Sequence, residues 1–189
     1  MSEDEGNFIE FADAEVDDVA AAVQGVLVGL RAPWLREGAE QTMAQTADQA
    51  DPGPQGAALR FVTLLELAYL VASADGLAKV ERESLSYLLE NLTGAAVKQS
   101  DLERHFSDLD QAVAAFGRRE RLAASAAAIE EDGREETMLL VSLIAMADGN
   151  LSNPEMGSLV ELGEHMARSR EQVEALAHQA AGYVQEALR

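Results

Sequence analysis

The sequence predicts an all-α fold: a compact bundle of about seven to nine helices with an internal pseudo-repeat of two helix–Asp-Gly–helix hairpins. Three observations carry this. Apolar residues recur at helical spacing through most of the 189 residues. β-branched and aromatic residues are sparse and never alternate over a sustained run, so no strand is expected. The tripeptide Ala-Asp-Gly occurs twice, each time closing an apolar helix and preceding an amphipathic one.

Three segments follow along the chain. Residues 1–14 read as an acidic, flexible leader, with Phe8, Ile9 and Phe11 able to tether it. Residues 15–55 form a helical extension and linker. Val19, Val23, Val26, Leu27 and Leu30 share one helical face, and the helix must stop before Pro33 because the residue before proline avoids the α region. A second helix is expected from Trp34 to Ala47, with Trp34 anchoring the extension to the bundle. Asp48 to Gly56, with two prolines and two glycines, is the linker.

Residues 56–189 hold the main helical domain. Leu59–Ala74 is apolar on nearly every side, as a central helix must be. Val80–Leu92 is amphipathic and ends at Thr93-Gly94. Ser100-Asp101-Leu102-Glu103 has the form of a capping box and should open a helix that runs to Phe116. An Ala-rich helix covers Arg119 to Glu131 and breaks at Gly133. Glu135–Ala147, Asn153–Met166 and Glu171–Leu188 complete the set.

Composition narrows the function. There is no cysteine, which excludes disulfides, thiolate zinc sites and cysteine nucleophiles. Fourteen Lys and Arg against 34 Asp and Glu give a net charge of −20. That balance disfavours nucleic acid and anionic lipid, and favours cations or a basic protein partner. No apolar stretch reaches the roughly 20 residues of a membrane helix. The acidic N-terminus lacks the basic region of a signal peptide, so a cytoplasmic location is expected. No hydrolase elbow, phosphate loop or dinucleotide fingerprint is present, so the chain reads as non-enzymatic.

The two Ala-Asp-Gly units align. With Ala74-Asp75-Gly76 over Ala147-Asp148-Gly149, Leu67 falls on Leu140, Leu70 on Leu143 and Val71 on Ile144. Allowing one extra residue after the second glycine, Leu77 falls on Leu151, Glu81 on Glu155, Leu85 on Leu159 and Leu88 on Leu162. Neither hairpin can bury its apolar face alone; two packed together can. This pattern, fullest in the run Met146-Ala147-Asp148-Gly149-Asn150-Leu151-Ser152-Asn153-Pro154-Glu155, resembles the TerB-like family, which includes tellurite-resistance proteins and is similar in fold to the N-terminal domain of the DjlA co-chaperone. The first copy departs from the pattern: its loop is one residue shorter, so Glu81 comes early and Arg82 takes the usual Glu position. The resemblance covers about Leu59 to the C-terminus. It implies an all-helical bacterial stress-response module working through protein partners, with metal binding by acidic residues as a further property. The doubling, the family resemblance and both functional readings drawn from it require residues 59–92 and 135–166 to superimpose and to be free of sheet.

The candidate site residues are Asp75, Glu81, Asp148 and Glu155. As structural elements, the aspartates accept loop N–H groups beside left-handed glycines, and Glu155 completes a capping box with Ser152 beyond Pro154. As a metal site, Asp148 to Glu155 matches the second half of an EF-hand loop. The first half fails, because Ile144 and Met146 stand where earlier ligands are needed. A Ca²⁺ or Mg²⁺ site then requires all four carboxylates to converge, and this divalent cation is the sole cofactor the sequence leaves open. Among the remaining polar residues, Glu66 should reach solvent by its long stem. Glu161 with His165 and Glu174 with His178 read as surface pairs. Arg118-Arg119-Glu120-Arg121 reads as a mixed-charge surface turn able to dock an acidic partner.

Overall fold

A computed structural model describes residues 6–30, 38–42, 55–74, 76, 79–93 and 96–189. The chain runs β1 (Asn7–Glu10), α1 (Val16–Gly29), a helical stretch at residues 38–42, α2 (Gln55–Ala72), α3 (Lys79–Leu92), α4 (Gln99–Phe116), α5 (Arg118–Ala127), α6 (Arg134–Ala145), β2 (Asn150–Ser152), α7 (Asn153–His165) and α8 (Arg170–Ala187). Single turns of 3₁₀-helix at Glu131–Gly133 and Met146–Asp148 bracket α6. The fold is all-α in class, as expected. Among the described residues no helix is long and apolar enough to cross a membrane.

The apolar pattern explains the layering. In α6 every residue from Thr137 to Ala145 is buried except Leu139, which packs against the core. Helices α1, α2, α7 and α8 surround it. Phe61, Leu64, Leu67 and Leu70 of α2 face α6 and its neighbours with almost no exposure. Burying side chains of this kind contributes about 1.5–3 kcal/mol each, so the α2–α6 pair is the centre from which the outer helices are organised.

Several expectations are corrected. A small antiparallel sheet exists: β1 pairs with β2, Ile9 opposite Leu151 and Glu10 opposite Asn150. Phe11 N–H donates to the Gly149 carbonyl at 3.1 Å, and Asn153 N–H to that of Gly6 at 3.2 Å. Ile9 and Phe11 are buried. The strand Asn7–Glu10 has no period-2 signature in the sequence because it is four residues long and carries a bulge between Asn7 and Ile9. Strand β2 also lies within residues 135–166, so that unit is not free of sheet. It lies between α6 and α7 and pairs with β1, outside the unit, so the sheet-free condition set for the doubled hairpin is not met.

The expected capping box at Ser100 does not form. Helix α4 starts two residues earlier, with Lys98 rather than Ser100 at the N-cap, which places Ser100 inside the first turn. Helix α2 begins at Gln55, inside the expected linker. Trp34 and most of the expected Trp34–Ala47 helix lie outside the described residues.

The last two helices meet at a glycine. A Cβ built on Gly163 of α7 would overlap the Val173 side chain of α8, whereas one on exposed Gly182 of α8 meets nothing within 4 Å. Gly163→Ala should therefore destabilise the fold by about 1–3 kcal/mol through overpacking. Gly182→Ala should stabilise it by about 0.4–1 kcal/mol by restricting the unfolded chain. Chemical denaturation of the two variants checks this; equal midpoints would show that α7 and α8 do not approach so closely.

Candidate functional site

The second Asp-Gly loop is built by local chemistry. Helix α6 tightens into the Met146–Asp148 turn, and Gly149, with φ 104°, reverses the chain in a left-handed conformation that side chains rarely tolerate. The Asp148 carboxylate accepts the Asn150 N–H at 3.2 Å. Ser152 caps α7: its hydroxyl accepts the Glu155 N–H at 3.2 Å, while the Glu155 carboxylate accepts the Ser152 N–H at 2.8 Å. Pro154 sits in the first turn, where its missing N–H costs nothing. Glu155 is only 4% exposed.

Asp148 and Glu155 are therefore both turn-forming residues, and both line one cleft of about 670 Å³. Helix α1 supplies Val16 and Asp17 to its wall, and α3 supplies Leu85, Tyr87 and Leu88. The end of α6, the loop and the leader's Gly6 and Asn7 close the rest. Asp75, and the side chain of Glu81 in α3, lie outside the described residues. Among the described residues no three His, Asp or Glu side chains stand close enough to hold a metal ion. No family model, curated protein or solved structure matches this chain.

A second polar region runs along α2, where the sequence reading is corrected. Glu66 does not reach solvent. It is 8% exposed, and its Oε1 accepts Arg121 Nε at 2.8 Å and the same guanidinium's Nη2. One turn on, Arg118 donates to the Leu70 and Ser73 carbonyls and to the Ser73 hydroxyl at 3.2 Å, closing the C-terminal end of α2. The basic cluster is thus turned inward, with Arg119 alone reaching outward to Glu161 at 3.5 Å. That contact also replaces the expected Glu161–His165 pair; His165 Nε2 is buried without a hydrogen-bond partner. Glu174 pairs with Arg170 at 3.3 Å, and His178 instead lies against the Phe8 ring, centroids 5.2 Å apart.

Further along the same face, the Tyr69 hydroxyl donates to Asp110 at 2.6 Å, and Arg82 reaches the other oxygen of that carboxylate at 2.9 Å. The Tyr69 ring stacks on Phe106 at 4.4 Å, and the Arg82 guanidinium lies 5.3 Å from the Tyr69 ring centre. Burial, reinforced by Asp110, holds the Tyr69 phenol well above its usual range. Beside it, burial pushes the His105 imidazole below its ordinary value, against the opposing pull of Glu66 and Asp108. The sequence signals for this region were Glu66 within an apolar run and the Arg118–Arg121 cluster, and nothing local joined them, since Glu66 and Arg121 stand 55 positions apart.

Two outcomes follow from this geometry. Glu66→Ala leaves Arg121 without its buried partner. It should cost about 3 kcal/mol, at the low end for a broken buried pair because Arg121 keeps some solvent contact; a loss under 1 kcal/mol in urea unfolding would contradict the buried-pair description. His105 binds its proton more readily in the unfolded chain than in the fold. Stability attributable to it is therefore full above about pH 6.5 and declines as pH falls through the lowered folded value. Comparing unfolding midpoints at pH 7 and pH 5, the wild type should lose more than His105→Gln.

Proposed function

We propose that this chain is a non-enzymatic, TerB-like protein-interaction module of a bacterial stress response of the tellurite-resistance type. One observation carries the reading: Asp148 and Glu155, the carboxylates of the family-like loop, form a rigid turn on the wall of an open cleft. A pre-formed concave surface next to a fixed loop is what a binding module presents. The doubled unit is part of the proposal. Gly76 and Gly149 share a left-handed conformation, at φ 94° and 104°. Their N–H groups each donate three residues back, to Ser73 at 3.2 Å and to Met146 at 3.1 Å. Strand β2 counts against the doubled unit, the family part and both readings built on them, all of which asked for sheet-free units. A cytoplasmic setting and a protein rather than nucleic-acid partner are supported by the absence of cysteine and the −20 charge. Affinity capture from native lysate tests this reading; recovery of no reproducible partner would count against it.

A second reading, a Ca²⁺ or Mg²⁺ sensor or buffer, is favoured by Asp148 and Glu155 lining the same cleft. Calorimetry with Ca²⁺, Mg²⁺ and Zn²⁺ on chelator-stripped protein separates the two. In the cation reading Asp148→Ala abolishes a heat of binding that the wild type shows. In the interaction reading the wild type shows no heat, and Asp148→Ala only lowers stability, by about 1 kcal/mol for the lost turn contact.

A further inference from the structure

We propose that the cleft between α1, α3 and the 147–155 loop receives a basic segment of a protein partner, a Lys or Arg side chain with apolar residues beside it. The inference rests on the interaction reading and gives it a partner chemistry and a place.

The cleft's composition points to that guest. Leu85, Leu88 and Ile144 form a buried apolar floor. At the rim Tyr87 is 64% exposed and Val16 is 51% exposed. Both are large apolar side chains left facing solvent, one on α3 and one on α1. The charged members of the described lining are Asp17, Asp148 and Glu155, and Asp17 is exposed to solvent. The volume of about 670 Å³ exceeds what one ion needs and suits a side chain with part of its neighbours.

Each group has a role. The aliphatic stem of a Lys or Arg lies on Val16 and the apolar floor while its head stays at the polar rim. Asp17, exposed in the first turn of α1, supplies the carboxylate that meets the head. The Tyr87 ring offers a face to the cation. Glu155 is buried in its cap and adds negative potential without direct contact. The whole-chain charge of −20 steers a basic partner inward and is lost to screening at high salt.

The same charge attracts any cation, so the test must separate the cleft from the surface at large. The probe is a synthetic peptide alternating Lys with Leu and Ala, with a Glu-for-Lys peptide as control. Amide shift mapping of the full chain at physiological salt should confine the changes to residues around Val16–Gln24, Leu85–Asn91 and Ala147–Glu155. The double variant Asp17→Asn with Tyr87→Ala, both exposed, should weaken binding at least tenfold. Glu186→Gln, on α8 outside the cleft, should weaken it less than twofold. Shifts scattered over the surface, or equal loss in the two variants, would overturn the proposal. So would a native partner that the double variant captures as well as the wild type does; that result leaves the interaction reading intact and removes only the cleft.

Discussion

The encirclement of α6 is the constraint on which the other elements depend. A helix buried along Thr137–Ala145 has no face for solvent, so four other helices must each present an apolar stripe to it. Its partner α2 meets the same demand with one charged exception among its described buried side chains, Glu66, and the fold answers that exception with Arg121. A carboxylate placed among Leu64, Leu65 and Leu67 needs a cation at hydrogen-bond distance. Helix α5 is thereby fixed against α2 by charge at one point and by Arg118, on the end of α2, one turn away.

The same burial shapes the loop after α6. The chain must leave the core within a few residues, and Gly149 allows it to turn sharply enough. The reversal exposes the backbone of residues 150–152, which would otherwise present unpaired N–H and C=O groups. The leader satisfies them as β1 and sets Ile9 and Phe11 into the core. The leader and the candidate site are therefore one structure, since Gly6 and Asn7 border the cleft whose opposite wall is α3.

What was legible in the sequence is what depends on near neighbours. Helix positions, the left-handed glycine, and the Ser152–Glu155 cap with Pro154 follow from residues three or four apart and were readable. What was hidden depends on distant pairs. Strand β1 forms only because β2 awaits it more than 140 positions on. Arg118 and Arg121 look like surface charges until α2 is laid beside them. The Tyr69–Asp110–Arg82 network joins three helices and has no local pattern. At the cleft, Asp148 and Glu155 are two of the four carboxylates that the sequence singles out, whereas Asp17, Tyr87 and Val16 join them only through packing.

This inward use of arginine bears on what the surface can bind. Arg82, Arg118, Arg121 and Arg134 all direct donors to groups of the chain itself: Asp110, the end of α2, Glu66 and the Met166 carbonyl. Each such contact removes a cation from the already small basic complement. Asp17, Asp148 and Glu155 are the charged side chains among the described residues of the cleft lining. Internal pairing thus ties together the helices that form the bundle, and in a chain of net charge −20 it engages part of the small basic complement there.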